Sequence, residues 1–491
     1  MKRVLVANRG EIAVRIIRAC RERALSSVAV YSDADAQALH VRLADHAIRI
    51  GLAAAADSYL NIPAIVDAAE KTGADAIHPG YGFLSERPEF ARACEAAHLT
   101  FVGPPADAIE RMGSKIAARQ LMQRAGVPVV PGLTPADQSD AGIAAAAREV
   151  GYPVLVKASA GGGGKGMRLA RSSSDLREAV PAARREAFSA FGDGMLYVER
   201  LIERPHHVEV QVVGDAHGTY VHLFERECSL QRRHQKIVEE SPSPTISPVI
   251  RARMGEAALA AARAVGYTNA GTVEFLVDGD GSAARFYFLE MNTRLQVEHG
   301  VTEAVTGIDL VQAQLHVAAG GRLAWTQDQL SQRGHAVECR VYAEDPAQGF
   351  LPQAGNLARY REPSGPGIRV DSGVVEGDTI DVHYDPLIAK VIACAESRAA
   401  ALNRMSIALR QYPILGIRTN IPFLIRLLGD PEVRAGAVHT DFVDANFHVF
   451  AAPTAPTPAA VAAAAVSRRE AAGPPATSPA DPWTTLERWG R

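Results

Sequence analysis

The sequence predicts an α/β protein that opens with a doubly wound, mostly parallel sheet. Two observations carry this. Short apolar runs alternate with stretches of helical periodicity over the first hundred residues, the pattern of strands joined by crossover helices. In addition, 491 residues, 47% hydrophobic and 22% charged, leave room for about three domains of ordinary size. Such an architecture names no chemistry.

In chain order, KRVLVAN (2–8) reads as a strand, GEIAVRIIRACRERA (10–24) as an amphipathic helix and SSVAVYS (26–32) as a second strand. NIPAIVDAAEKTG (61–73) has helical spacing and leads into the strand ADAIHPG (74–80). From about Val127 the texture changes: GYPVLVKAS, GMRLARS, MLYVERLI, HVEVQVVGD and TYVHLFERECS all read as strands. A formal net charge of -3 gives no general reason to bind nucleic acid or a membrane surface. The five cysteines, Cys20, Cys94, Cys228, Cys339 and Cys394, show no metal-ligand spacing and suggest a reduced compartment. No signal-peptide core or bilayer-length apolar run occurs, so a cytoplasmic protein is expected.

The stretch KASAGGGGKGMR (157–168) is lysine-rich for this chain, which holds only seven lysines among 52 basic residues: Lys2, Lys71, Lys115, Lys157, Lys165, Lys236 and Lys390. A compact ammonium makes a point-charge contact with phosphate that a guanidinium fork cannot copy in a tight pocket. The glycines match GxGxxG through Gly161, Gly163 and Gly166, yet a strand rather than a helix follows them. A Walker A loop fails as well, with Ser159 at its first glycine and Gly166 where Ser or Thr belongs. A glycine-rich hairpin folding over phosphates fits, with Lys157 reaching the same anion; a flexible surface hairpin is the alternative.

FYFLEMNTRLQVEHGVTE (286–303) carries polar residues at alternate positions: Glu290, Asn292, Arg294, Gln296 and Glu298. In an extended chain all five line one wall. Glu274, in TVEFLV, can sit opposite Glu290 across a hairpin turned at DGDGSAA, and two carboxylates with an amide oxygen suit magnesium. The solvated face of a strand would give the same alternation.

ANRGEIA (7–13), HPGYGFLSE (78–86), KASAGGGGKGM (157–167), ECSLQRRHQKIVEESP (227–242), EMNTRLQVEH (290–299) and GHAVECRVYAEDP (334–346) occur in this order. Together they closely resemble the biotin carboxylase component of biotin-dependent carboxylases, an ATP-grasp family, over residues 1 to 447. DSGVVEGDTIDVHYDPLIAKVIA (371–393) is most similar to alpha subunits of acyl-CoA carboxylases of the acetyl-, propionyl- or methylcrotonyl-CoA type.

The resemblance implies a Rossmann-like N-terminal domain (1–114), an ATP-grasp domain (115–330) with a mobile glycine-rich lid at about 130–203, and a mixed α/β C-terminal domain (331–447). It places ATP on Lys115, Lys157, Gly163, Gly164, His207, Gln231, His234 and Leu276, with Glu199, Arg200, Leu201 and Ile202 as the hinge facing adenine. Mg2+ or Mn2+ falls to Glu274, Glu290 and Asn292, in agreement with the polar wall. Bicarbonate falls to Lys236, Arg294, Gln296, Val297 and Glu298, with Glu298 as general base, and biotin to Tyr81 and Arg340. The catalytic set is thus Glu298, Arg294, Arg340 and Lys236.

Four positions depart from the family pattern or stay unassigned by it. Gly300 replaces a usual proline, so a looser turn is expected after His299. Arg200 replaces a common lysine, His206 stands where arginine is frequent, and Lys390 suits a structural ion pair as well as a catalytic role. Residues 451 to 482 are Ala/Pro-rich and linker-like, and the tail is counted from 448 to 491. DPWTTLERWGR (481–491) resembles the opening of a domain that follows in longer family members. No Met-Lys-Met biotinylation motif occurs, so, unless the sequence is a fragment of a longer subunit, the biotin carboxyl carrier protein and the carboxyltransferase are expected on other chains, with a homodimer of this one. Another ATP-grasp ligase, such as a carbamoyl-phosphate-forming enzyme, and a noncatalytic nucleotide-binding regulator remain as rival readings.

Overall fold

The computed structural model describes residues 1–159 and 167–451. Gly163, Gly164 and Lys165 of the glycine-rich stretch, and the tail from 452, lie outside the described residues.

The N-terminal strands β1 (Arg3–Val6), β2 (Ser26–Ser32), β3 (His46–Gly51), β4 (Ala76–His78) and β5 (Thr100–Phe101) form a parallel sheet in the order β3-β2-β1-β4-β5. The reversal of strand order around β1 is that of a doubly wound sheet. Helix α1 (Gly10–Glu22) packs Ile12, Ile16 and Ile17 into the core over this sheet. Helix α2 (Ile62–Thr72) is capped by the Asn61 side chain at one end and by left-handed Gly73 at the other. At the carboxyl end of β4, Gly80 has φ +64, and a Cβ there would meet Asn8 Nδ2 at 2.8 Å. That close approach lets Asn8 Nδ2 donate to the carbonyls of Pro79 and Tyr81, tying the HPGYGF loop to β1.

Helix α3 (Lys115–Arg124) leads into a four-stranded antiparallel sheet of β6 (Gly132–Leu133), β7 (Val154–Ala158), β8 (Met167–Ala170) and β9 (Leu196–Arg200), ordered β6-β9-β7-β8. Helices α4 (Asp140–Val150) and α5 (Ser173–Phe191) cover one face of it, closing a small core of Ile143, Ala147, Val156, Val180, Ala183 and Val198. The strands flanking the glycines are therefore the antiparallel pair the sequence predicts, β7 with β8.

The third sheet has eight strands, all antiparallel. Its members are β10 (His206–Gly214), β11 (Tyr220–Arg232), β12 (Gln235–Ser241), β13 (Asn269–Asp278), β14 (Arg285–Asn292), β15 (His335–Tyr342), β16 (Ile368–Ser372) and β17 (Leu387–Ala395). Their order is β14-β13-β10-β11-β12-β15-β17-β16. The sheet runs without a break across residue 330, because β15 pairs with β12. An exposed edge on either strand would leave a row of unpaired amides and carbonyls, and their mutual pairing removes it. Helix α6 (Pro248–Val265) covers β10 and β11 through Ile250, Met254 and Ala258, and helix α7 (His299–Thr306) follows β14. Every residue of β10 and of β15 is buried, so any ionisable side chain on those strands must find its partner inside the protein. Among the described residues no helix is long and apolar enough to cross a membrane. All five cysteines are unpaired.

Candidate active site

Pairing in the large sheet brings four charged strand positions together. The β13–β14 hairpin sets Glu274 directly opposite Glu290, and β10 sets Glu209 opposite Glu274. Lys236, on β12, places Nζ 2.5 Å from Glu209 Oε2, 2.8 Å from Glu274 Oε1 and 2.6 Å from Glu298 Oε1. Burial alone would lower the pKa of this ammonium, but the three carboxylates outweigh it and hold Lys236 well above its ordinary value. Burial likewise pushes Glu274 up, and Lys236 with His207, 3.1 Å away, overcomes that and holds its carboxyl low.

The opposite balance holds at Glu290. Burial raises its pKa, Glu274 raises it further, and Lys115 offsets only part of the effect. The Glu274–Glu290 face is therefore short of positive charge. Its hard oxygen donors fit a divalent cation, and Asn292 Nδ2 donates to Glu274 Oε1 at 2.8 Å.

The polar wall assembles differently from its sequence pattern. The strand ends at Asn292 rather than running on to Glu298, and Glu298 is the N-cap of α7. Side-chain hydrogen bonds complete the wall where the ladder stops. Arg294 donates to Asn292 Oδ1 (3.0 Å), Gln296 Oε1 (2.9 Å) and Glu86 Oε2 (2.9 Å), while Gln296 Nε2 lies 3.3 Å from Glu274 Oε1. Glu86 is the last residue of HPGYGFLSE, so the loop after β4 fixes the arginine.

Glu298 has two cationic neighbours on opposite sides. Lys236 holds Oε1, and Arg340 Nη2 on β15 stands 3.0 Å from Oε2. Burial would raise its pKa, yet Lys236, Arg340 and Arg226 together hold it well below the usual carboxylate range. Arg340 also donates to Glu239 Oε1 from Nε at 2.6 Å. Lys390, opposite Arg340 in the β15–β17 pair, donates to the Val297 carbonyl and lies 3.6 Å from Glu11. It thus holds the backbone one residue before Glu298. Tyr81 donates to Glu11, and the Arg340 charge acts on its phenol, so the implied biotin residues share one neighbourhood.

Gly300 is not in a loose turn. It sits in the first turn of α7, where a Cβ would stand 2.6 Å from Ile392 Cδ1. The tight packing removes the expected slack. His206, which the family pattern leaves unexplained, pairs with Asp280 at 3.1 Å in the β13–β14 turn.

On the nucleotide side, Lys157 Nζ is bound to Glu199 Oε2 at 2.7 Å, and Arg119 takes the other oxygen at 2.8 Å. Lys157 therefore faces the carboxylate of Glu199, a residue of the implied hinge. Lys115 stands at the start of α3, where burial lowers its pKa and the charges of Glu290, Lys157 and Glu199 act on it. Glu199 and Arg200 end β9, and Leu201 N bonds Pro153 O at 3.0 Å. Leu201 and Ile202 lead from the four-stranded sheet toward β10, the position of a hinge. His207 is opposite Leu276, and Gln231 is opposite Lys236. His234 is exposed in the β11–β12 turn with φ +65.

Four acidic or basic partners escaped the sequence reading: Glu209, Arg226, Glu239 and Glu338. All four are buried, Arg226 completely, donating to Glu209, Gln211, Thr272 and Thr302. The available signal was a charged residue in the middle of an otherwise apolar strand, as in HVEVQVV and HAVECRV.

Three family models cover the chain in succession. They are the biotin carboxylase N-terminal domain over residues 1–109, the carbamoyl-phosphate synthase L chain ATP-binding domain over 114–326 and the biotin carboxylase C-terminal domain over 338–445. The biotin carboxylase of Halalkalibacterium halodurans is 51% identical over 448 residues, covering 91% of this chain and 98% of that one. The mitochondrial methylcrotonoyl-CoA carboxylase subunit alpha of Mus musculus is 51% identical over 90% of this chain, which spans only 61% of that subunit's length. Among solved structures, the biotin carboxylase domain dimer of Hydrogenobacter thermophilus 2-oxoglutarate carboxylase, in complex with MgADP, ADP and bicarbonate, has a TM-score of 0.87. It is 46% identical over 92% of this chain and 99% of that one. Campylobacter jejuni biotin carboxylase in a β,γ-ATP complex also has a TM-score of 0.87, at 45% identity over 90% of this chain and 98% of that one. The match to the carbamoyl-phosphate synthase model is confined to residues 114–326, biotin carboxylase models flank it on both sides, and the chain belongs to the biotin carboxylase family.

Proposed function

We propose that the protein carboxylates biotin carried on a separate carrier protein, using ATP and bicarbonate. One observation carries the reading: Glu298 joins Lys236 on one side to Arg340 on the other, so a single carboxylate links an anion site to a second cationic site. A regulator that only bound nucleotide would have no use for that junction.

In this reading Glu298 takes the proton of bicarbonate, and the freed oxygen attacks the γ-phosphorus of ATP to give carboxyphosphate and ADP. Lys236 and Arg294 hold the bicarbonate. As the arriving anion draws Lys236 away from Glu298, the carboxylate loses a stabilising charge and becomes a stronger base. Carboxyphosphate breaks down to carbon dioxide and phosphate, and the phosphate takes the N1 proton of biotin. Arg340 faces the negative charge that develops on the ureido oxygen, and N1 attacks carbon dioxide. A divalent cation held by Glu274, Glu290 and Asn292 would supply charge neutralisation at the phosphates. Closure of the lid over this site would exclude water from carboxyphosphate.

A homodimer, a carrier and carboxyltransferase on other chains, and a cytoplasmic location belong to the same reading. The acyl acceptor is chosen by the transferase. Presenting biotin on a docked carrier raises its local concentration to about the millimolar range. Purified chain should therefore hydrolyse ATP slowly with free biotin and bicarbonate, and much faster with a biotinylated carrier. A streptavidin blot should find no biotin on the chain itself. Hydrolysis indifferent to both biotin and bicarbonate would overturn the proposal.

Lys157 offers a narrower test. Lys157→Arg keeps the charge but brings a fork to a Glu199 carboxylate whose other oxygen Arg119 already holds. The KM for ATP should rise several-fold, read by steady-state kinetics at saturating bicarbonate. Wild-type kinetics would remove the case for an ammonium at this position.

A further inference from the structure

Glu338 is the one acidic residue of GHAVECRVYAEDP that lies two positions before Arg340, on the same side of β15, and no step above uses it. It is completely buried, and neither carboxyl oxygen has a hydrogen-bond partner. Directly opposite in the β12–β15 pair stands Glu239, also completely buried. Glu239 Oε1 accepts from Arg340, while its Oε2 is unpartnered. Directly opposed antiparallel residues point to the same face, with Cβ atoms about 5 Å apart, which puts the two carboxyls within reach of each other.

The charges around the pair come from every neighbouring element. Arg340 lies on β15, Lys236 on β12, Lys390 on β17 and Glu298 at the start of α7. Arg340 is the cation bound to Glu239, and Lys390 is committed to the Val297 carbonyl. The side facing α7 is closed at Gly300, where a Cβ would stand 3.0 Å from Glu338 Oε2. Two opposed buried carboxylates, of which only Glu239 holds a bound cation, cannot both stay ionised without a large cost. A single proton relieves the repulsion and supplies the donor that Glu239 Oε2 lacks.

We propose that Glu239 and Glu338 share one proton, with the Glu338 carboxyl O–H donating to Glu239 Oε2. Glu338 is thereby a positioning residue: it orients Glu239, which in turn orients Arg340. Burial acts in the same direction on both groups. It pushes Glu338 well up against the opposing charge of Lys390, and it raises Glu239 to about 7 against that of Arg340. The consequence for biotin rests on the role given to Arg340 above, whereas the shared proton does not.

Two measurements on the full chain separate these claims. Infrared difference spectroscopy at neutral pH, wild type against Glu338→Gln, should show an exchange-sensitive carbonyl band of an un-ionised carboxyl that is lost in the variant. Its absence would mean that both groups are ionised and would overturn the proposal without reference to turnover. In kinetics, Glu338→Gln keeps an N–H donor toward Glu239 and should stay within a few-fold of wild type. Glu338→Ala leaves Glu239 Oε2 bare and should raise the KM for biotin about 10-fold, the size expected for one unmade buried hydrogen bond, while the KM for ATP holds. Equal loss in the two variants, or none in the alanine, would overturn the positioning role. Should the alanine variant fail to fold, the infrared comparison on the glutamine variant decides alone.

Discussion

Glu298→Gln should lower biotin-dependent ATP turnover at least ~100-fold, the low end for loss of a general base. Gln keeps the size of the side chain and one acceptor, but it can neither take the bicarbonate proton nor balance the two cations that meet at Glu298. Lys236 retains Glu209 and Glu274, so its ammonium stays compensated. Arg340 retains Glu239. The variant should therefore fold and bind ATP, which separates a chemical defect from a structural one. Its measurement is turnover with carrier and bicarbonate beside equilibrium nucleotide binding. Near-normal bicarbonate-dependent turnover would falsify the base assignment.

Glu290→Gln should abolish activity while leaving the metal-free protein at least as stable as wild type. Glu290 faces Glu274 across the β13–β14 hairpin, and its pKa is raised by burial and then by that like charge. Removing one of two opposed carboxylates relieves repulsion in the absence of a cation. A ligand that binds only the folded state adds stability in proportion to its occupancy. Addition of Mg2+ should accordingly raise the wild-type melting temperature and leave that of the variant unmoved. Thermal melts with and without Mg2+ check both halves, and a collapse of the metal-free variant would show that Glu290 serves the core instead.

The elements predicted in the first hundred residues are observed because each carries its own period and its own stops. Ile12, Ile16 and Ile17 define the buried face of α1, and Asn61 and Gly73 mark the ends of α2. The Glu274–Glu290 register was legible for a related reason. A seven-residue polar loop between two apolar strands leaves few ways to close a hairpin. The wall from Asn292 to Glu298 was legible as a set of residues but not as a shape. Alternation predicts one face only while the chain stays extended, and beyond Asn292 contacts with Glu86 and Lys390, 208 and 93 positions away in sequence, dictate the path instead.

By itself, the sequence determined the family, the parallel opening sheet, the antiparallel hairpins and most members of the charged site, since each rests on local periodicity or on a contiguous motif. Only the tertiary structure decided how the charges pair. Glu209, Arg226, Glu239 and Glu338 have no local signal beyond being ionisable in an apolar strand. Their meaning comes from strands that become neighbours through pairings such as β12 with β15, nearly a hundred residues apart in the chain. Buried charges interact strongly with whatever stands beside them, so the values of Lys236, Glu298 and Glu290 are properties of the folded sheet rather than of any segment.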